Sequence, residues 1–178
     1  MPTSNSGDVA TNRGVHAMNA RAVVISILLG LIAFGLDRGH KYLQIEALGW
    51  RGGEYHKVTE FFDYVLVWNT GISYGLFSDL PVLVLGIVMV VAVAALVYWY
   101  WRADVILIRC GLALAIGGAL SNAVDRLLYG AVADFFHFHW QGWSFYIFNI
   151  ADTAISLGVL LLVLDALGVG RRRPVVRP

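Results

Sequence analysis

Four long apolar stretches, separated by polar and aromatic segments, dominate the sequence. Residues 80–101 are apolar except for Pro81 and carry no charge, and these 22 residues meet the roughly 20 that an α-helix needs to cross the hydrocarbon core. Three further stretches have the same character, at residues 22–36, 105–128 and 146–167. The first is short, so its helix must continue through residues 37–43 to cross completely. The pattern predicts a mainly α membrane protein whose four transmembrane helices form one domain, residues 21–168.

The composition and the residues that follow the first stretch both favour a chain retained in lipid. Of its 178 residues, 58% are hydrophobic and 14% are charged, with a mean hydropathy of +0.69, whereas soluble domains carry about 25% charged residues. No signal-peptide cleavage site follows the first stretch, because Asp37, Arg38, His40 and Lys41 come next. We therefore interpret this stretch as a retained helix.

Basic residues are distributed unevenly between the segments that join the stretches. Arginines precede the first stretch, separate the second from the third and follow the fourth: Arg13, Arg21, Arg102, Arg109, Arg171, Arg172, Arg173 and Arg177. By contrast, residues 44–79 hold two basic and five acidic residues, and residues 129–145 hold no lysine or arginine. The positive-inside rule places both termini in the cytoplasm and these two segments outside. We expect residues 1–20 to be a disordered cytoplasmic N-terminus and residues 169–178 a basic cytoplasmic tail.

The first outer segment, residues 44–79, is too long for a simple connection between helices. Within it, residues 56–68 are rich in Val, Phe, Tyr and Thr, with Gly52 and Gly53 before them and Asn69-Thr70-Gly71 after them. Aromatic and β-branched residues bounded by turn residues indicate a strand. We therefore predict a small extracytoplasmic β-sheet within about residues 44–79.

Polar residues inside the apolar stretches are gathered at the ends predicted to face outside. Ionisable side chains are expensive in a bilayer, so they are candidates for a functional site. Asn122, Asp125 and Arg126 share one helix face, and Asp37 and Lys41 lie one turn apart. We favour a structural explanation of both groups, in which Asp125 neutralises Arg126 and Asp37 pairs with Lys41.

Asp134 and Asp152 differ from these groups, because neither has a lysine or arginine within seven residues of it. Asp134 lies among apolar residues just beyond the third stretch, and Asp152 lies in the first turns of the fourth. The connection is short enough for the two carboxylates to meet, share one proton and activate water, as in an aspartic peptidase. Alternatively, Asp134 is a solvated loop acid and Asp152 is favoured by the helix dipole. Spacing leaves both alternatives open.

Other patterns carry little chemistry. His137 and His139 lack a third ligand at a recognisable spacing, so we expect no metal. No nucleotide-binding loop, zinc-protease motif or serine-hydrolase motif occurs in the sequence, and we expect no cofactor and no nucleic-acid partner. A channel or transporter would place charge near the membrane midplane, which residues 80–101 lack. A membrane adaptor would need no paired carboxylates.

Several motifs resemble those of the signal peptidase II (lipoprotein signal peptidase) family, in the same order along residues 22–167. The family blocks GGALGNxxDR…GxVxDF, FNxADxxI and NxGxxFG are similar to GGALSNAVDR and GAVADF at 117–126 and 130–135, FNIADTAI at 148–155, and NTGISYG at 69–75. Asp37 and Lys41 match the D…K pair of its first helix. Three positions depart from the family pattern, namely Arg38, Tyr74 and Ser121, and Arg38 leaves the partner of Asp37 open.

This resemblance implies an aspartic endopeptidase of the bacterial inner membrane, with four transmembrane helices, an outer β-sheet and an active site on the periplasmic side. Such an enzyme, a monomer surrounded by membrane lipid, removes the signal peptide from diacylglyceryl-modified prolipoproteins by cutting just before the lipidated cysteine. The family's catalytic pair matches Asp134 and Asp152. Its substrate-binding and supporting residues match Asp37, Lys41, Asn69, Gly71, Asn122, Asp125, Arg126, Asn149 and Ala151.

Overall fold

Four α-helices frame the molecule in the computed structural model, which describes residues 6–71 and 82–168. They are α1 (Ser6–Tyr42), α2 (Val82–Arg102), α3 (Ile106–Tyr129) and α4 (Ile150–Ala166). A π-helical turn, Leu43–Ala47, continues α1. Only a short connection separates α2 from α3, as is usual for antiparallel neighbours.

Helix α3 is central and packs against α1, α2 and α4. Two of its glycines allow this packing to be close. A Cβ atom at Gly118 would overlap the carbonyl oxygen of Ala151 in α4, and one at Gly117 would overlap that of Gly30 in α1. Small residues at such contacts let helix backbones approach each other. The approach brings the polar ends of α1, α3 and α4 together.

The helices present apolar side chains outward. Large hydrophobic residues that are more than half exposed include Leu31, Leu36, Val90, Val91 and Leu127. Extensive exposure of large apolar side chains indicates contact with a membrane or a partner. Within the described ranges, two helical segments are long and apolar enough to cross a membrane, Ala20–Ala47 and Ile106–Tyr129, and Gly86–Arg102 is a shorter apolar helix. Both observations agree with a membrane protein.

The connections that follow α1 and α3 together form a four-stranded antiparallel sheet. Its strands are β1 (Tyr55–Lys57), β2 (Phe62–Asn69), β3 (Val132–Trp140) and β4 (Trp143–Ser144), in the order β1-β2-β3-β4. The register of β2 against β3 shifts between Tyr64 and Val67, which is the mark of a bulge.

A small core fixes the sheet against the end of α1. Ile45 of the π-helical turn, Leu66 of β2, and Ala133 and Phe135 of β3 are buried together. Because Ala133 and Phe135 flank Asp134, their burial holds Asp134 beside the helix ends. The core therefore positions a candidate catalytic residue.

The mainly helical fold with a small antiparallel sheet is confirmed, but the strands differ from the prediction. Residues 56–68 span two strands, because the N–H groups of Val58 and Thr59 both donate to the Phe62 carbonyl and close a turn. Residues 129–145, which we interpreted only as a connection, supply β3 and β4. Residues 72–79 of the expected outer segment lie outside the described residues.

Helix α1 also begins earlier than expected. It starts at Ser6, within residues 1–20, for which we expected disorder. Once a helix has formed, each further residue that is fixed adds one hydrogen bond without a new nucleation cost, so the polar lead can extend the helix. Residues 169–178 lie outside the described ranges, and the cytoplasmic placement of both termini stays a prediction.

Candidate active site

A fully buried lysine lies where α1 meets α3. Lys41 Nζ lies 2.7 Å from Asp37 Oδ2 and 2.5 Å from Asp125 Oδ2, and it donates to Asn122 Oδ1 at 3.0 Å. Lys41, Asp37 and Asp125 are each 0% exposed. A buried charge is tolerated when it is paired and hydrogen-bonded, and Lys41 meets both conditions.

The two carboxylates of this network also hold backbone from other elements. Asp37 Oδ1 accepts a hydrogen bond from the Ala151 N–H at 2.9 Å, at the start of α4. Asp37 Oδ2 accepts one from the Ser121 hydroxyl at 2.6 Å. Asp125 Oδ2 accepts one from the Ala133 N–H at 3.2 Å, at the start of β3. The network therefore ties α1 and α3 to the first residues of both elements that carry the candidate catalytic acids.

Ion pairing in the network differs in part from the prediction. The pair between Asp37 and Lys41 is confirmed. The pairing of Asp125 with Arg126 is wrong, because Asp125 pairs with Lys41 and Arg38. Arg126 points away from Asp125 and donates to the Gly71 carbonyl at 2.8 Å. Adjacent positions on a helix surface did not decide the partner, because α1 brought two cations to Asp125.

Asp152 is held at the start of α4 by a capping box. Asn149 Oδ1 accepts from the Asp152 N–H at 2.8 Å, and Asp152 Oδ2 accepts from the Asn149 N–H at 3.2 Å. This reciprocal arrangement satisfies two N–H groups that a helix start leaves unpaired. Asp152 Oδ1 accepts from Asn122 Nδ2 at 2.8 Å, so both of its oxygens have defined partners.

Asp134 lies on β3 and is 2% exposed. Its Oδ1 accepts from Asn149 Nδ2 at 2.7 Å, and its Oδ2 accepts from Asn69 Nδ2 at 3.1 Å. Burial, and after it the charge of Asp152, raises the pKa of Asp134 to about 7. Both hydrogen bonds to Asp134 come from the neutral side-chain amides of Asn149 and Asn69, which orient the carboxylate without adding a positive charge.

Asn149 connects the two candidate catalytic carboxylates. It is fully buried, its side chain donates to Asp134, and its backbone and side chain form the cap that holds Asp152. Its Nδ2 also lies 3.1 Å from Asn122 Oδ1, and Asn122 in turn donates to Asp152. The two asparagines therefore fix both acids within one hydrogen-bonded group.

A cavity of about 220 Å³ adjoins this group. Its lining includes Asn69, Gly71, Asn122, Arg126 and Asp152, with apolar residues of α2, β3 and the segment before α4. Asp152 thus reaches the cavity directly. Asp134 is not among its lining residues, and reaches its edge through the hydrogen bond from Asn69.

The structure brings all eleven predicted site residues into these connected contacts. The sequence prediction missed the ion pair of Arg38 with Asp125 and the hydrogen bond of Ser121 to Asp37. Both residues were recognisable only as departures from the family motifs, and no local spacing indicated their partners. Residues 72–75 of the NTGISYG block lie outside the described residues.

Comparison with known proteins gives consistent matches. Residues 29–168 match the family model for Signal peptidase (SPase) II. A lipoprotein signal peptidase of Rhodopseudomonas palustris (strain TIE-1) is 43% identical over 153 residues, which cover 82% of this chain and 93% of that protein. One of Methylorubrum extorquens (strain PA1) is 46% identical over 121 residues, or 66% of this chain and 71% of that protein.

A solved structure has the same fold. It is described as a bacterial membrane enzyme structure obtained by the in meso method, and it superposes with a TM-score of 0.74 at 27% identity, covering 86% of this chain and 94% of that one. The family match spans most of the chain and includes every residue of the hydrogen-bonded group described above. The chain belongs to the signal peptidase II family.

Proposed function

We propose that this protein is an aspartic endopeptidase that removes signal peptides from diacylglyceryl-modified prolipoproteins, with Asp134 and Asp152 as its catalytic pair. The observation that carries the proposal is the position of Asn149, which holds Asp134 through its side chain and Asp152 through the helix cap. Two acids from different elements are thereby placed together beside a cavity. Membership of a peptidase family supports the same chemistry.

The proposed reaction starts with one proton on the pair. The ionised carboxylate takes a proton from a water molecule, and the hydroxide forms a bond to the scissile carbonyl carbon. The protonated carboxyl then donates its proton to the amide nitrogen, the C–N bond breaks, and a carboxylic acid and an amine leave. The pair again holds one proton, which belongs to both acids. A pKa of about 7 for Asp134 supports this state near neutral pH.

The surrounding residues have two proposed tasks. Asn69, Gly71 and Arg126 line the cavity, where they can bind the backbone of the substrate beside the pair. The buried residues keep the pair in place: Asp37, Lys41, Asn122, Asp125, Asn149 and Ala151. Asn69 also donates to Asp134, and we propose that the substrate replaces this bond when it exposes Asp134 to the cavity.

An apolar groove beside the polar cavity supports the proposal that the substrate is lipidated. The groove has a volume of about 500 Å³, lies between α2 and α3, and shares Met89 and Arg126 with the polar cavity. Acyl chains in this groove would stay in contact with lipid while the adjoining peptide reached the acids. We propose that the cut falls just before the cysteine that carries the diacylglyceryl group.

The proposed setting is the bacterial inner membrane. The four helices cross it, both termini and the basic tail at residues 169–178 lie in the cytoplasm, and the sheet with the catalytic pair lies on the periplasmic side. The uneven distribution of arginines and the apolar outer faces of the helices support this topology. We propose that the protein acts there as a monomer.

The test uses the full chain purified in detergent and two precursors, one diacylglyceryl-modified and one unmodified, with cleavage followed by gel shift. The wild type should cleave only the modified precursor. Asp134→Asn and Asp152→Asn should each lower the rate by about 10²–10⁴-fold, the usual contribution of a general acid or base. Glu60→Gln is the matched control, since the Glu60 side chain is 84% exposed, and should cleave normally.

The outcomes separate the parts of this proposal. Cleavage of both precursors would remove the requirement for the lipid. A wild-type rate in either asparagine variant would remove that acid from catalysis while leaving the peptidase activity intact. A wild type that cleaves neither precursor would overturn the proposed function as a whole.

A further inference from the structure

Three side chains that the proposed reaction does not use meet on the β2–β3 pair. Asp63 of β2 lies directly opposite His137 of β3 in the sheet register. His139 comes two residues later on β3, and alternate residues of a strand project from the same face. Strand pairing therefore brings the carboxylate of Asp63 to two imidazoles that lie far from it in the sequence.

The distances within this cluster are short. Asp63 Oδ2 lies 2.8 Å from His139 Nε2 and 3.4 Å from His137 Nδ1. One ligand atom from each residue lies within 4.8 Å of the other two. The two imidazole rings have centroids 5.1 Å apart, so the rings are neighbours on one face of the sheet.

Two buried atoms of the cluster have no hydrogen-bond partner. Asp63 is 3% exposed, yet among the described residues nothing donates to its Oδ1. His139 Nε2 is also unsatisfied, because its close approach to Asp63 lacks the direction of a hydrogen bond. A side-chain hydrogen bond with Asp63 is the main cause that raises the pKa of the Tyr55 phenol, but no hydrogen bond of ordinary geometry reaches Asp63 Oδ1. Buried polar atoms without partners call for a water or an ion.

We propose that Asp63, His137 and His139 bind one divalent first-row transition-metal ion, such as Zn²⁺. Zinc lies about 2.0–2.2 Å from nitrogen and oxygen ligands, so neighbouring ligand atoms of a tetrahedral site are about 3.4 Å apart. The observed carboxylate–imidazole distances of 2.8 and 3.4 Å are close to this value. The ligand atoms of the two imidazoles, which lie within 4.8 Å of each other, would move together by at most about 1.4 Å to reach it. Two imidazoles favour zinc over magnesium or calcium, which prefer oxygen ligands.

The neighbours of the cluster suit a cation. His137 Nε2 lies 2.7 Å from Ser144 Oγ, and a second-nitrogen bond of this kind commonly orients a metal-binding imidazole. Lys57 lies opposite Asp63 on β1 but pairs with Glu60. Across residues 6–71 and 82–168, no lysine or arginine forms an ion pair with Asp63. A bound cation would therefore supply the charge that this carboxylate lacks.

From the sequence we expected no metal, because no third ligand lies at a recognisable spacing from His137 and His139. The fold supplies that ligand from β2, across the sheet. A bound ion would link β2 to β3, the strand that also carries Asp134. Metal binding is measured without substrate, so its result does not depend on whether the proposed function is correct.

The test is a metal titration of the full chain, purified through a tag that contains no histidine and stripped with a chelator. Zn²⁺ is titrated in competition with a chromophoric chelator, and the wild type should bind one ion per chain. Binding should weaken by about 100-fold or more in each of the variants Asp63→Asn, His137→Gln and His139→Gln. Even the loss of a residue that only hydrogen-bonds a metal ligand lowers metal affinity by about 10–100-fold. His56→Gln removes an exposed histidine outside the cluster and should bind like the wild type.

Two further measurements guard against variants that fail to fold. Ser144→Ala leaves all three ligands in place and should weaken binding by about 10–100-fold, with unchanged circular dichroism and gel filtration. Co²⁺ in place of Zn²⁺ should give a visible absorption band in the wild type that His139→Gln lacks. The proposal is overturned by a wild type without stoichiometric Zn²⁺, or by equal affinity in the wild type and His139→Gln, which would mark the ion as adventitious.

Discussion

Replacing Lys41 with methionine tests the buried network that joins α1 to α3. The Nζ atom of Lys41 lies 2.7 Å from Asp37 Oδ2, 2.5 Å from Asp125 Oδ2 and 3.0 Å from Asn122 Oδ1, with no exposed surface. Methionine fills a similar volume and keeps the apolar stem, so the substitution removes chiefly the charge and its donors.

The magnitude follows from the partners that remain. Asp125 keeps its ion pair with Arg38, whereas Asp37 keeps only the neutral donors of Ser121 and Ala151. Removing one partner of a buried ion pair costs about 3–5 kcal/mol. Only Asp37 loses every positively charged partner, so we expect a cost at the lower end of this range. Lys41→Met should lower the free energy of unfolding by about 3 kcal/mol. Adding Asp37→Asn should restore about 1–3 kcal/mol, the usual coupling between contacting residues.

The assay is reversible unfolding in mixed micelles with increasing denaturing detergent, followed by tryptophan fluorescence. Lys57→Met is the matched control, because Lys57 is half exposed and pairs with Glu60 at 2.8 Å. It should lower the free energy of unfolding far less than Lys41→Met, since exposed ion pairs contribute little to stability. The reasoning is refuted if Lys41→Met costs no more than Lys57→Met. It is also refuted if the double variant is less stable than Lys41→Met alone.

Two further predictions concern Asp134 and the helix packing. Because the pKa of Asp134 rises from 3.8 to about 7 on folding, the folded protein binds more protons between these pH values. The free energy of unfolding should therefore fall as pH rises from about 4 to about 7, by at most ~1.4 kcal/mol per pH unit; an Asp134→Asn variant that keeps the whole slope would contradict this. Gly118→Ala should cost about 1–3 kcal/mol in thermal or chemical unfolding, since its methyl group overlaps the Ala151 carbonyl. Gly35→Ala, which meets nothing within 4 Å, should be neutral or stabilising by up to about 1 kcal/mol, and equal effects at the two glycines would count against the close contact.

The helices were predictable because a long apolar stretch is a local signal. Strand β3 was harder to predict, although residues 136–139 alternate between phenylalanine and histidine. The pattern matched a strand, but the segment lay between two predicted spans and its partner β2 is remote in sequence. Strand pairing depends on such remote partners, so a short connection was the simpler interpretation.

The site shows the same division between local and remote information. The motifs identified Asp125 correctly as part of the connected group, but a neighbour on the same helix suggested Arg126 as its partner. The observed partners, Arg38 and Lys41, come from α1. Asp63 likewise joins His137 only through the register of the sheet. The sequence indicates which residues belong to the site, whereas the geometry decides what each of them contacts.

The ion pairs of α1 have a consequence for how the chain enters a bilayer. Asp37 and Lys41 are one turn apart on the same helix, so they can neutralise each other before any other helix arrives. Arg38 and Asp125 belong to different helices, so they can pair only after α1 and α3 have come together. Before the helices assemble, Arg38 of α1 and Asp125 of α3 therefore lack the partner that each has in the folded protein. Their attraction in the apolar medium favours docking of these two helices during biogenesis.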